Sequence, residues 1–335
     1  KDRIYNRMKQ AGLLVYPDAY ATCLLPALLV SIKAVISRKP IVMIPVPYPF
    51  TNLFIGLLLK KALKRLKWIV ELRDPFSNYP LADKPALHDR LNRYFEEKMV
   101  RLCNEIWIYK GWFKGGKQYF HRTYPSMSHK VVELPYCGFD PTVISQKHSA
   151  EKINGTLTLL HAGNFYGKDF SPISLLKGVA ELPVNEYISL CFYGDFRSEY
   201  RLLAQQLGID ENIEHHGYVP YRRMGDVLRS ADVLLLITGA KHGYTDNLTS
   251  KLFDYVGSGK PIFAVLPPGE AKRFAHSIGI RYIADIGNPD EIKCVLQNIV
   301  HDWRNGELKS EIKNRDQFSL DTMVDAATKR ILSLT

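Results

Sequence analysis

Short apolar runs without helical or alternating period, set between amphipathic stretches, constrain this chain most. In the first half KPIVMIPVP, KWIVELRDP, EIWIYK and KVVELPYCGFD read as strands; in the second, GTLTLLHAG, ISLCFYGDF, IEHHGYV, DVLLLIT and PIFAVL do. Strands apolar on both faces are covered on both faces, which indicates parallel sheets with helices on either side. Helical spacing over 53–67, 91–100, 112–119, 175–180, 200–206 and 224–230 supplies the covering layers. The pattern predicts two α/β, doubly wound Rossmann-like domains joined near 141–154, with strand ends facing a shared central cleft.

At 335 residues, with 46% hydrophobic and 24% charged, the chain suits two globular domains with sizeable cores. Cys23, Cys103, Cys137, Cys191 and Cys294 are scattered without a C-x-x-C, so neither a disulfide framework nor a zinc site is indicated, which fits a reducing cytoplasm. The apolar run over 23–36 is interrupted by Pro26 and Lys33 and reads as too short for a membrane span. The polar opening KDRIYNRMKQ does not read as a signal peptide, and it lacks a starting Met, so earlier residues are expected.

Charge is unevenly placed. Residues 1–150 hold 24 Lys+Arg against 11 Asp+Glu, and the remainder 21 against 23, so the net +11 belongs to the first half. An anionic partner for that half follows: a membrane surface, a phosphate-bearing acceptor or nucleic acid. The densest cluster is Lys60, Lys61, Lys64, Arg65 and Lys67. In helical spacing Ile55, Leu59, Leu63 and Leu66 lie opposite most of these cations. Such a face is either solvated or laid on anionic lipid headgroups, and no nucleic-acid-binding motif accompanies it.

DNLTSKLFDYVGSGKP, residues 246–261, carries the chemistry. Asp246 and Asp254 stand eight residues apart around Thr249 and Ser250, which read as a capped helix start. Gly257 and Gly259 are expected to end that helix before the strand PIFAVL. A helix N-terminus between two acids suits a sugar nucleotide: hydroxyl acceptors at both ends and donors for a diphosphate. A capped helix with a solvated Asp254 fits the same spacing equally well.

The segment resembles the E-x7-E region of GT-B glycosyltransferases of the glycosyltransferase-4 type, with Asp at both ends. SKLFDY-x-x-SGKP is similar to the variant in the bacterial surface-polysaccharide branch. HAGNFYG, FYGDF and HHGYVPYRRM resemble successive donor-domain turns, and PYCGFD the segment closing the first domain. IVELRDP resembles the strand end where many members carry His-Asp; here Arg73 and Asp74 stand there, as a functional pair or a structural ion pair. The family's glycine-rich loop after the first strand is not found.

The resemblance implies an acceptor-side domain over 1–148 that lacks its first strands, a donor domain over 149–316, and a final helix over 317–335 crossing back. It implies a hexosyltransferase (EC 2.4), retaining and metal-independent, with no cofactor and a UDP- or GDP-linked sugar as substrate. Asp246, Arg73 and Asp74 fall on the catalytic positions. Gly163, Asn164, Lys168, Gly194, Gly217, Tyr218, His242, Asn247, Leu248, Thr249, Ser250, Lys251 and Asp254 fall on donor-binding ones. Lys60, Lys61, Lys64, Arg65 and Lys67 would meet an anionic membrane or a glycan or lipid-diphosphate-linked acceptor, placing the protein at the cytoplasmic face of the plasma membrane, with no nucleic acid. No metal-ligand pattern appears, and His161, His215 and His216, at strand ends, read either as cleft-lining residues or, more commonly for such positions, as satisfied polar residues. A sugar-nucleotide epimerase of related fold and a non-catalytic GT-B-like binding protein are the rival readings.

Overall fold

The computed structural model describes residues 16–18, 20–47, 49–73, 76–77, 86–111, 115–136, 138–144, 155–165, 171–183, 187–239 and 248–335. The chain divides into two compact units, Lys1–Pro135 with Val324–Thr335, and Tyr136–Met323.

In the first unit α1 (Leu24–Arg38), β1 (Val42–Met43), α2 (Thr51–Ala62), β2 (Lys67–Leu72), α3 (Ala86–Leu102), β3 (Glu105–Tyr109), α4 (Gly116–Thr123) and β4 (Val131–Leu134) follow in turn. The strands lie in the order β1-β2-β3-β4, all parallel. Trp68, Val70, Leu72, Ile106 and Ile108 gather on one face with Leu53, Phe76 and Phe120. The strand expected over KPIVMIPVP is brief: only Val42 and Met43 pair, with Lys67 and Trp68. The helix expected over 53–67 ends at Ala62 because Leu63 leaves helical geometry, so Lys64 and Arg65 stand in a turn and Lys67 opens β2. At its other end the Asp18 carboxylate accepts from the Thr51 N–H at 3.0 Å and the Thr51 hydroxyl at 2.7 Å, capping α2 across the sequence.

The interruption expected at Pro26 does not occur. Pro26 lies in the first turn of α1, where no intrahelical partner for its N–H is needed. By length and composition Ala21–Arg38 is apolar enough to cross a membrane. Val35 packs with Ile55, Leu59 and Leu66, while Leu25, Leu29, Ile32 and Ile36 form an exposed stripe.

The second unit runs through α5 (Pro141–Ile144), β5 (Leu157–Ala162), α6 (Ile173–Ala180), β6 (Ile188–Tyr193), α7 (Ser198–Gln206), β7 (Ile213–Gly217), α8 (Met224–Ser230), β8 (Val233–Ile237), α9 (Ser250–Ser258), β9 (Ile262–Leu266), α10 (Glu270–Ser277), β10 (Tyr282–Asp285) and α11 (Pro289–Arg304). Among the described residues its strands lie in the order β10-β9-β8-β5-β6-β7, all parallel. Alternate residues enter opposite cores: Leu157, Leu159, Val233 and Leu235 one, Leu160, Ala162, Leu234 and Leu236 the other. That two-sided burial is what the period-free apolar runs require.

This unit begins at Tyr136 rather than near 149 because Tyr136, Phe139 and Ile144 pack into its core with Phe253 and Phe318. Residues 141–144 of the expected linker are the helical turn α5; 145–154 lie outside the described residues. The last helix, α12 (Leu320–Leu334), starts at Ser319, whose hydroxyl accepts from the Asp321 N–H at 3.2 Å. From Val324 onward it belongs to the first unit, where Arg330 meets the buried carboxylate of Glu105.

Candidate functional site

The second unit's chain passes from β5 to β6 and β7 on one side, then returns to β8, β9 and β10 on the other. Parallel α/β sheets bind ligands at such a switch point, beyond the carboxyl ends of the strands. Here β5 and β8 pair only through Leu159–Val233 and Leu160–Leu234. Past that pair, side chains complete the hydrogen bonding. The Ala162 N–H donates to the Tyr255 hydroxyl at 2.8 Å, and His161 Nδ1 lies 2.9 Å from the Leu235 carbonyl. A carbonyl only accepts, so Nδ1 carries the proton. Burial, then the nearby Lys251 charge, hold the His161 pKa down to about 3, keeping the ring neutral.

Three turns at the carboxyl ends of β5, β6 and β7 are stitched together. The Gly163 N–H donates to the Tyr193 carbonyl at 2.7 Å, and the Gly194 N–H to the Gly217 carbonyl at 2.6 Å. The Asp195 N–H donates to Asn164 Oδ1 at 2.8 Å, so Asn164 spends its amide oxygen joining two turns. Gly163 has φ +133°, and a Cβ there would overlap Nζ and Cε of Lys251. Gly194 has φ +107°, and its Cβ would stand 2.8 Å from the Gly163 carbonyl carbon. Both positions demand glycine on conformation, and Gly194 on space as well, because backbone and not a movable side chain stands in the way.

Gly163, Asn164, Gly194, Tyr218, Lys251 and Asp254 are among the residues lining a pocket of about 200 Å³. Lys251 projects from the first turn of α9, and Nζ lies 3.4 Å from the Asn164 carbonyl. Among the described residues it has no carboxylate partner. Burial alone lowers its pKa to about 8. Thr249 is the N-cap but its side chain makes no capping bond, contrary to the expected cap; the Leu252 N–H turns instead to the Thr249 carbonyl at 3.1 Å. Asp254, one turn beyond Lys251, accepts from the Tyr221 hydroxyl at 3.0 Å on Oδ1. Burial and the nearby Asp140 raise its pKa to about 6, although the Tyr221 bond opposes the rise.

Several expected donor residues take structural places. Leu248 is buried with Leu252 and Phe253, so its side chain is core. Gly257 does not end α9; it lies inside the helix, where a Cβ would run into the Phe139 ring, and Gly259 at φ +73° forms the stop. Gly217 at φ +65° closes β7, and Tyr218 beyond it is 86% exposed. Ser250 opens α9 and is exposed. Asp246, Asn247, His242, Lys168 and Asp74 lie outside the described residues. His215 Nε2 is 2.8 Å from the Gly194 carbonyl, while His216 stacks on Tyr193 and sits 3.2 Å from Glu214. Cys191, Glu214 and His216 bring ligand-type atoms within 4.8 Å of one another. That Glu214 carboxylate is already engaged by His216 and by the Ser189 hydroxyl, at 2.9 Å. The sequence reading missed Tyr193, Tyr221 and Tyr255; only their position beside the glycine and Asp motifs signalled them.

In the first unit, Arg73 Nε is held at 2.9 Å by Glu71, a buried residue of β2. Lys60 is drawn away from the basic face. Its Nζ donates to the Leu66 carbonyl at 2.7 Å, the Lys64 carbonyl at 3.1 Å and Asn104 Oδ1 at 3.3 Å. Burial and the Lys67 charge lower its pKa. Lys61, Lys64 and Arg65 are exposed, and Lys67 is half-buried.

No protein-family model and no curated protein matches the chain. Solved structures do match its fold. HepE from Anabaena, in complex with UDP and glucose, is 12% identical over 91% of this chain and 81% of its own, with a TM-score of 0.63. A glycosyltransferase from Rickettsia africae is 10% identical over 93% and 81%, with a TM-score of 0.70. UDP-GlcNAc 2-epimerase from Methanocaldococcus jannaschii is 11% identical over 96% and 83%, with a TM-score of 0.57. At such identities the likeness establishes the fold: two Rossmann-like units of the GT-B class.

Proposed function

We propose that this protein is a glycosyltransferase of the glycosyltransferase-4 type, which moves a sugar from a UDP- or GDP-linked donor to a polysaccharide or lipid-linked oligosaccharide acceptor. One observation carries the reading: Lys251, a half-buried cation without a described carboxylate partner, stands in the first turn of α9 beside the Gly163 turn. A desolvated cation lining the pocket from the first turn of a helix and that turn's partial positive charge together suit a diphosphate. They act most strongly as negative charge grows on the departing nucleotide, so they stabilise the transition state more than the ground state. In this reading Asp254 binds the ribose, Asp246 holds the donor-sugar hydroxyls, and configuration is retained without a metal. Arg73 and Asp74 act on the donor sugar or an acceptor phosphate. The GT-B neighbours, one solved with UDP and glucose, support a nucleotide-sugar ligand.

Exposed Lys61, Lys64 and Arg65 and the apolar stripe of α1 support docking to an anionic membrane at its cytoplasmic face, where a lipid-linked acceptor is presented.

Calorimetric titration with UDP, GDP, ADP and CMP and their common sugars, in EDTA, tests the reading. It expects metal-independent binding of one nucleotide and loss of that binding in Lys251→Met. Silence toward all four rejects it. Isomerised sugar nucleotide formed without acceptor would instead establish an epimerase, the reading that shares this fold.

A further inference from the structure

Asp254 and Lys251 lie three residues apart on α9 and both line the pocket, yet they form no ion pair. Asp254 is engaged from elsewhere. Pro220, at φ −59°, opens the short turn Tyr221–Arg223 directly after the pocket-lining residues Tyr218 and Val219. That turn delivers the Tyr221 hydroxyl to Asp254 Oδ1 at 3.0 Å. Among the described residues, Oδ2 has no hydrogen-bond partner.

We propose that Tyr221 is a positioning residue of the nucleotide pocket: its hydroxyl holds one oxygen of an ionised Asp254, so that the other is presented to the ribose diol of a nucleotide sugar. The inference rests on the nucleotide-sugar reading above. A phenol has a single proton to give, and a carboxylate only accepts, so the direction of the bond is set while Asp254 is ionised. Burial and the adjacent Asp254 raise the phenol's pKa, so the donor persists across neutral pH. The described groups facing Asp254 are Tyr221, from the turn ahead of α8, and Asp140, from the segment entering α5. Asp140 is itself engaged by the Thr142 N–H at 2.9 Å and hydroxyl at 2.6 Å. Lys251, on the same helix, is turned toward the Gly163–Asn164 backbone. Without Tyr221, burial and the Asp140 charge act unopposed, and both favour the protonated acid, a weaker acceptor for ribose.

The test is Tyr221→Phe, which keeps the ring. Dissociation constants for UDP-glucose and GDP-mannose are measured by calorimetry between pH 5.5 and 8, a window in which the diphosphate diester does not titrate. The wild-type affinity should fall as pH drops through about 6, where the Asp254 carboxyl protonates. In Tyr221→Phe that fall should move up by about one pH unit, leaving affinity roughly 3-fold weaker at pH 6.5, roughly 8-fold weaker at pH 5.5 and within about 2-fold of wild type at pH 8. Profiles that superimpose overturn the proposal, as does a loss equal at every pH, which a merely structural role would give. Asp254→Asn supplies a second check: its profile should lose the step near pH 6, and adding Tyr221→Phe to it should change nothing more. An added loss in the double variant rejects the pairing. If the wild type binds neither sugar nucleotide, the functional reading has failed and the proposal with it, an outcome distinct from binding without a pH shift.

Discussion

Lys60 and Lys251 are both partly buried lysines whose ammonium groups are disfavoured by desolvation. Lys60, near the end of α2 in the first unit, donates to two carbonyls and the Asn104 side chain within 3.3 Å. Lys251, at the start of α9 in the second, has among the described residues one long contact, 3.4 Å from the Asn164 carbonyl. An ammonium carries three donors, so the described residues satisfy Lys60 and do not satisfy Lys251. A satisfied buried cation belongs to the scaffold; an unsatisfied one lining a pocket is where an anion gains most. The sequence reading set Lys60 on a basic face and Lys251 among the donor-binding positions; the structural contrast lies in their acceptors.

Exchanging each for methionine should separate the roles. Lys251→Met should weaken UDP binding most, by roughly 10–100-fold, the value of a lost charge-assisted hydrogen bond, while the melting temperature holds or rises because an uncompensated charge is gone. Calorimetry and thermal denaturation read the two effects separately. Lys60→Met should reverse the pattern, costing about 1–3 kcal/mol in denaturant unfolding by stranding its acceptors, with UDP affinity unchanged. If both variants lose stability equally and neither affects binding, the contrast is wrong.

The pH dependence sharpens the comparison further. The folded-state pKa of Lys251 is depressed to about 8, so between there and the unfolded value near 10.5 the folded chain binds fewer protons. The cost of its charge is present in full below about pH 8 and is relieved as pH rises through that window. Stability should therefore rise from pH 8 to 10 relative to Lys251→Met, as chemical denaturation would measure. Nucleotide binding at pH 8.5 should take up protons, giving a calorimetric heat that varies with buffer ionisation enthalpy. Smallest of all should be the stability effect of reversing the exposed Lys61, Lys64 and Arg65 to Glu, within about 0.5 kcal/mol. Their flotation with anionic vesicles should nonetheless fall, and unchanged flotation would leave that face merely solvated.

The contrast also marks how far sequence carried. The runs DVLLLIT and PIFAVL could be placed as buried strands because their apolar residues leave no polar face to expose. Gly163 and Gly194 were legible as turns because each follows an apolar run, Gly217 followed the polar run IEHH and was placed by resemblance, and all three adopt positive φ. The α9 start at Ser250 was legible from its spacing, whereas Gly257 looked like a stop and is instead a close approach to Phe139. KPIVMIPVP looked like a full strand, yet pairing with β2 uses only two of its residues. Hydrophobicity reports that a segment is buried or packed, not how many backbone partners it finds.

Sequence alone determined the alternation of strand and helix, the basic first half, and the order of glycine turns and acids along the second. These are local or additive properties, set by side-chain period, backbone freedom and charge count. Tertiary structure decided which cation is satisfied, that Tyr255 and His161 complete the hydrogen bonds where β5 and β8 part, and that Tyr221 reaches Asp254 across 33 residues of chain. Those outcomes depend on which atoms meet within about 3 Å, and hydrogen bonds are short-ranged enough that only folding fixes their partners.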